Sequence, residues 1–207
     1  MMDPAEAAGF ALAVAMVWCS IRELHWSWPL AIASSALYFF VFRDSQLYGE
    51  ASLQVVFAVL ALWGWWQWLR PVAISPPPEV PPAAESPAQS PPLPAPPIRT
   101  LRRRERWQYL LSSLLLWPLL ALFLMHYTDT DVPWWDAFPT AFSLVGQYLL
   151  AHKRLENWAV WIIVNIVAAG LFAWKGLWLT TLLYLAFIAL SAVGWRTWAK
   201  HAQVETA

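Results

Sequence analysis

The sequence predicts an all-α polytopic membrane protein: seven transmembrane helices in a 3+1+3 arrangement of two parallel three-helix repeats around a linker helix. Three observations lead there. Hydrophobic residues make up 59% of the 207-residue chain and charged residues only 13%, about half of what a soluble domain carries. Six or seven apolar stretches approach or reach the length that crosses a bilayer, roughly 20 residues for a helix. Residues 28–68 also fall without a gap on residues 158–198. The apolar stretches are solid rather than alternating, which argues against a membrane β-barrel.

Helices are expected at about 7–22, 26–43, 50–69, 107–127, 135–153, 157–174 and 177–198. The first follows Asp3 and Glu6 and lacks a basic flank or a small-residue cleavage site, so it reads as a retained span and not a signal peptide. The second is short and contains Ser34 and Ser35, which points to a tilted or partly buried helix. The third ends Gly64–Trp65–Trp66–Gln67–Trp68. From Pro71 to Pro97 the chain is dominated by Pro, Ala and Ser. That composition cannot bury a core; it reads as an extended connector, with a partner motif as the alternative. The Arg99–Arg106 run directly precedes the fourth span, which favours a topogenic or lipid-headgroup role over nucleic-acid binding. The organisation is thus a first bundle over 1–70, a loop over 71–106, a linker helix over 107–127, a second bundle over 128–200 and a tail over 201–207.

Seven spans divide the basic residues. Arg43 and Lys175 lie on one side, and the others, from Arg22 to Lys200, lie on the opposite side. The positive-inside rule then places the N-terminus outside and the C-terminus in the cytoplasm. The internal repeat pairs Trp28 with Trp158, Gly64 with Gly194, Trp65 with Trp195 and Trp68 with Trp198. Units of three helices would be mutually inverted if joined directly, and the fourth helix restores a parallel relation. Transport folds of this kind hold substrate near mid-membrane, between the bundles.

Trp158, Trp161 and Asn165 share one face of the sixth helix at spacings of three and four. An unpartnered amide in hydrocarbon is costly, so Asn165 faces either a neighbouring helix or a cavity. Gln147, inside the fifth span, poses the same choice. Either amide can donate to and accept from a hydroxyl or a carboxamide. Trp158 sits near its helix start, where interfacial belt and cavity compete, and Trp161 lies one turn deeper, toward the cavity. Trp68 and Trp198, at helix ends, fit belt anchors better. Thr181, Tyr184 and Ser191 form a stripe on the last span that either lines the path or bonds to neighbouring backbone. Gln54 is equivalent to Tyr184 in the first repeat, and Ser35 to Asn165.

No cofactor is expected. The four histidines lack ligand spacing for a metal, and no nucleophile–base constellation points to an enzyme. Span interiors hold almost no Asp, Glu, Lys or Arg, unlike proton- or ion-coupled pumps.

The stretch Gln147–Tyr148–Leu149–Leu150–Ala151–His152–Lys153–Arg154–Leu155–Glu156–Asn157–Trp158, continuing to Trp161 and Asn165, resembles the PnuC family of vitamin transporters. So do Lys175–Gly176–Leu177–Trp178–Leu179–Thr180–Thr181–Leu182–Leu183–Tyr184 and the Gly64–Trp68 helix end. The resemblance implies a seven-helix fold similar to the SWEET sugar transporters, with both repeats in one chain. It implies facilitated diffusion of nicotinamide riboside across the inner membrane, with trapping by a cytoplasmic kinase, and a homo-oligomer, by family a trimer. Relatives carrying thiamine, riboflavin or deoxynucleosides keep the ligand open. The pyridinium of the riboside and the thiazolium of thiamine are both flat cations, which a Trp face attracts by about 0.5–2 kcal/mol. A channel and a non-transporting scaffold or sensor are the rival classes.

Overall fold

A computed structural model describes residues 4–44, 48–70, 97–128, 132–174, 176 and 178–202. Among these residues the fold is all-helical, with α1 (Pro4–Ile21), α2 (Ser27–Asp44), α3 (Tyr48–Leu69), α4 (Arg103–Tyr127), α5 (Pro133–Ala151), α6 (Asn157–Trp174) and α7 (Trp178–Ala199). The helices coincide with the expected ones to within a few residues. The Pro-rich segment over 71–96, Lys175 and Leu177 lie outside the described residues.

Local chemistry sets the helix ends. The fourth helix begins earlier than its apolar pattern predicts, because the Arg102 backbone N–H donates to Glu105 at 2.9 Å and satisfies a group the first turn leaves unpaired. Pro133 opens α5 at a position where its missing N–H costs nothing. Helices α1 and α5 stop where Glu23 and Lys153 adopt left-handed backbone, φ 55° and 51°. In each corner two N–H groups turn back on the helix. Glu23 and Leu24 donate to Ser20 and Cys19, and Lys153 and Arg154 donate to Leu150 and Leu149, the Schellman pattern of a helix end.

By length and composition, Arg103–Tyr127, Asn157–Trp174 and Thr181–Ala199 are long and apolar enough to cross a membrane, and Phe10–Ile21, Ser27–Phe40 and Gln54–Leu69 are shorter apolar helices. The outer face of α4 exposes Leu111, Leu115, Leu119 and Leu122, an apolar stripe suited to lipid rather than water. Six helices form a closed cycle of neighbours in the order α1, α2, α3, α5, α6, α7 and back to α1, and α4 packs along α5.

Residues 130 apart make matching contacts. The Trp28 ring lies over Gly64 and the Trp158 ring over Gly194. Trp28 meets Trp68 edge-on at 5.5 Å, and Trp158 meets Trp198 edge-on at 5.4 Å. Trp68 Nε1 donates to the Leu150 carbonyl, and Trp198 Nε1 to the Ile21 carbonyl, each at 3.2 Å. The expectation that Trp68 and Trp198 anchor in an interfacial belt is therefore corrected. Both are buried, because each indole N–H finds a helix-end carbonyl in the opposite half of the chain.

Candidate functional site

Among the described residues, four helices line a cavity of about 210 Å³. Its walls are Ala13, Met16, Val17 and Ser20 of α1, Pro139, Ser143, Gln147 and Leu150 of α5, Trp158, Trp161, Val164 and Asn165 of α6, and Tyr184, Phe187 and Ser191 of α7. Every set recurs at three or four residues, one face of each helix. Among the described residues, none that lines the cavity carries a charge. Its polar groups include three serine hydroxyls, a phenol, the amides of Gln147 and Asn165 and two indole N–H groups, set among aromatic and aliphatic surface.

The aromatic walls are held by close backbone approach. Gly146 of α5 lets Trp161 pack tightly; a Cβ there would stand 3.3 Å from the ring. Trp158 is only 2% exposed, pressed on Gly194, which places it inside the protein and not in an interfacial belt. Its Nε1 has no hydrogen-bond partner among the described residues. Tyr184 stacks on Phe172 at 5.1 Å and meets Phe187 edge-on at 6.0 Å. The Ser20 hydroxyl donates to the Met16 carbonyl at 3.0 Å.

Of the residues singled out in the sequence, Asn165, Trp161, Gln147, Trp158, Tyr184 and Ser191 meet around this one cavity. Thr181 and Gln54 are half-buried and do not line it, and neither does Ser35. Sequence reasoning missed Ser143, Ser20, Met16 and Phe187. Two of them had a signal. Ser143 precedes Gln147 by one turn on the same face. Ala13, Val17 and Ser20 are the repeat equivalents of Ser143, Gln147 and Leu150, so the cavity face of α5 maps directly onto that of α1.

A family model described as nicotinamide mononucleotide transporter matches residues 3–200. The chain belongs to this transporter family. Within it, the chain is 25% identical to the nicotinamide riboside transporter PnuC of Escherichia coli (strain K12), over 96% of this chain and 86% of that one. It is 26% identical to the riboflavin/roseoflavin transporter RibM of Streptomyces davaonensis, over 86% and 76% of the two chains. The crystal structure of the vitamin B3 transporter PnuC superposes with a TM-score of 0.70 at 20% identity, over 95% of this chain and 80% of that one. That superposition establishes the fold.

Proposed function

We propose that the protein imports nicotinamide riboside across the bacterial inner membrane by facilitated diffusion. The carrying observation is a cavity lined by Trp158, Trp161 and Asn165 of α6 and by Gln147 of α5, with no charged side chain among the described residues that line it. A flat pyridinium gains from the indole faces, and the two amides suit ribose hydroxyls and the carboxamide. A phosphate would need a compensating cation, so the riboside fits better than its mononucleotide. The named substrates of the relatives, a nicotinamide nucleoside and a flavin, bracket the choice.

On this reading the helices form the 3+1+3 arrangement with parallel, SWEET-like repeats, supported by the matched contacts at 130-residue spacing. The two three-helix bundles rock about the central cavity, with the N-terminus outside and the C-terminus cytoplasmic. Uptake is drawn inward by a cytoplasmic kinase that phosphorylates the riboside, the protomers assemble as a homo-oligomer, and Gln54 and Thr181 border the path outside the binding cavity.

The test is a binding panel on purified protein: nicotinamide riboside, nicotinamide mononucleotide, thiamine and riboflavin. The riboside is expected to bind tightest. Tighter binding of the mononucleotide or of riboflavin would overturn the assignment. A substrate gradient built by proteoliposomes under a pH or Na⁺ gradient, without kinase, would overturn facilitated diffusion.

A further inference from the structure

Directly beyond the cavity, at the ends of α1 and α5, the two halves of the chain are fastened together. Ser20, Leu150 and Trp158 line the cavity, and the corners that follow α1 and α5 carry Glu23 and Lys153. Lys153 Nζ lies 2.8 Å from Glu23 Oε2, with the lysine side chain 3% exposed and the glutamate 34%. The ammonium also lies 4.8 Å from the Trp68 ring centroid. Glu23 and Lys153 are repeat equivalents, both on left-handed backbone, so the pair closes on the pseudo-twofold relation between the halves. The Trp68–Leu150 and Trp198–Ile21 hydrogen bonds cross the same boundary. The strand-like pairing of Arg99 with residues 153–155 marks this end as the arginine-rich side.

We propose that Glu23 and Lys153 form the latch of a gate that closes the cavity on its arginine-rich side. This rests on the transport reading. A buried ammonium is tolerated only while paired, so the latch holds while that layer is dry and parts when water reaches it. Rocking the halves apart must break the ion pair and both crossing indole bonds together, which makes the closed state an all-or-none arrangement. Glu23 and Lys153 act by positioning the two bundles and not by touching the ligand.

The experiment measures how fast a membrane-impermeant maleimide reaches the cavity. The full chain is reconstituted with Cys19→Ser and Ser143→Cys, and reagent is added to one face of oriented vesicles at a time. Lys153→Gly removes the charge while keeping the left-handed corner, which glycine adopts without strain. Labelling from the arginine-rich face is expected to rise on the order of tenfold or more, the scale of a broken buried pair, with no rise from the other face. The double exchange Glu23→Lys with Lys153→Glu is expected to return it near the parent rate. Should Lys153→Gly not fold, Glu23→Gln makes the same test. Unchanged labelling, an equal rise from both faces, or an exchange that labels as fast as the single variant would overturn the latch. Labelling needs no ligand, so failure of the binding panel sinks the substrate reading separately.

Discussion

The Trp158 indole lies face-on against Gly194: a Cβ at that glycine would stand 2.6 Å from three carbons of the ring. Trp198, meeting the ring edge-on at 5.4 Å, limits where it can move. Gly194→Ala should therefore destabilise the protein by about 1–3 kcal/mol, the usual cost of overpacking, and push Trp158 into the cavity. Gly170, also helical, has open space around its α-carbon. Gly170→Ala should be neutral or stabilising by up to about 1 kcal/mol through helix propensity. Thermal unfolding in detergent compares the two. Equal melting temperatures would show that the Trp158–Gly194 contact is soft.

The cavity is asymmetric between the repeats, and ligand binding should follow that asymmetry. Trp161 and Asn165 line it, whereas their first-repeat equivalents Ala31 and Ser35 do not. Trp161→Ala should weaken binding of nicotinamide riboside about 2- to 30-fold, the range of a lost cation–π contact, and Trp161→Phe should lose less. Asn165→Ala and Gln147→Ala should weaken binding by a similar factor. Ala31→Val and Ser35→Val should leave affinity within about twofold. Isothermal titration on matched preparations decides it, and a larger loss from the Ala31 or Ser35 variants would move the site to the other half.

The helices were legible because bilayer length and hydropathy are one-dimensional signals, and the Gly64–Trp68 and Gly194–Trp198 helix ends exposed the repeat. Asn165 and Gln147 were legible because an amide in an apolar span needs a partner. What the sequence could not supply was which face of α1 turns inward: Ala13, Met16, Val17 and Ser20 look like any small-residue stripe. Trp68 and Trp198 were misjudged for a related reason. A Trp at a helix end fits an interfacial belt by position alone, and only the carbonyls of Leu150 and Ile21, contributed by distant segments, identify them as buried donors.

A cavity whose described lining is uncharged carries a pH signature in its ligands. The phosphate of nicotinamide mononucleotide loses its second proton near a pKa of about 6, so its charge deepens as pH rises through that value. Mononucleotide binding, where detectable, should improve as pH falls from about 7.5 to 5.5, because the less charged form meets no unfavourable desolvation of a dianion. Riboside binding should be flat over that interval. A mononucleotide affinity that rises with pH would require a cationic group facing the cavity.

Glu156 holds the segment before α4 against the α5–α6 corner in two ways of unequal value. Its carboxylate accepts the Leu101 backbone N–H at 3.0 Å, and Leu101 is buried. It also pairs with Arg106 at 2.9 Å, but that guanidinium is 59% exposed. An exposed ion pair contributes about 0–1 kcal/mol and is screened by salt. A buried N–H left without an acceptor costs about 1–3 kcal/mol. Glu156→Ala should thus destabilise the protein clearly more than Arg106→Ala. The Arg106→Ala deficit should vanish at about 1 M salt, whereas the Glu156→Ala deficit should persist and be accompanied by faster hydrogen exchange at Leu101. Equal, salt-sensitive losses in both variants would mean that the ion pair, and not capture of the backbone, anchors this segment.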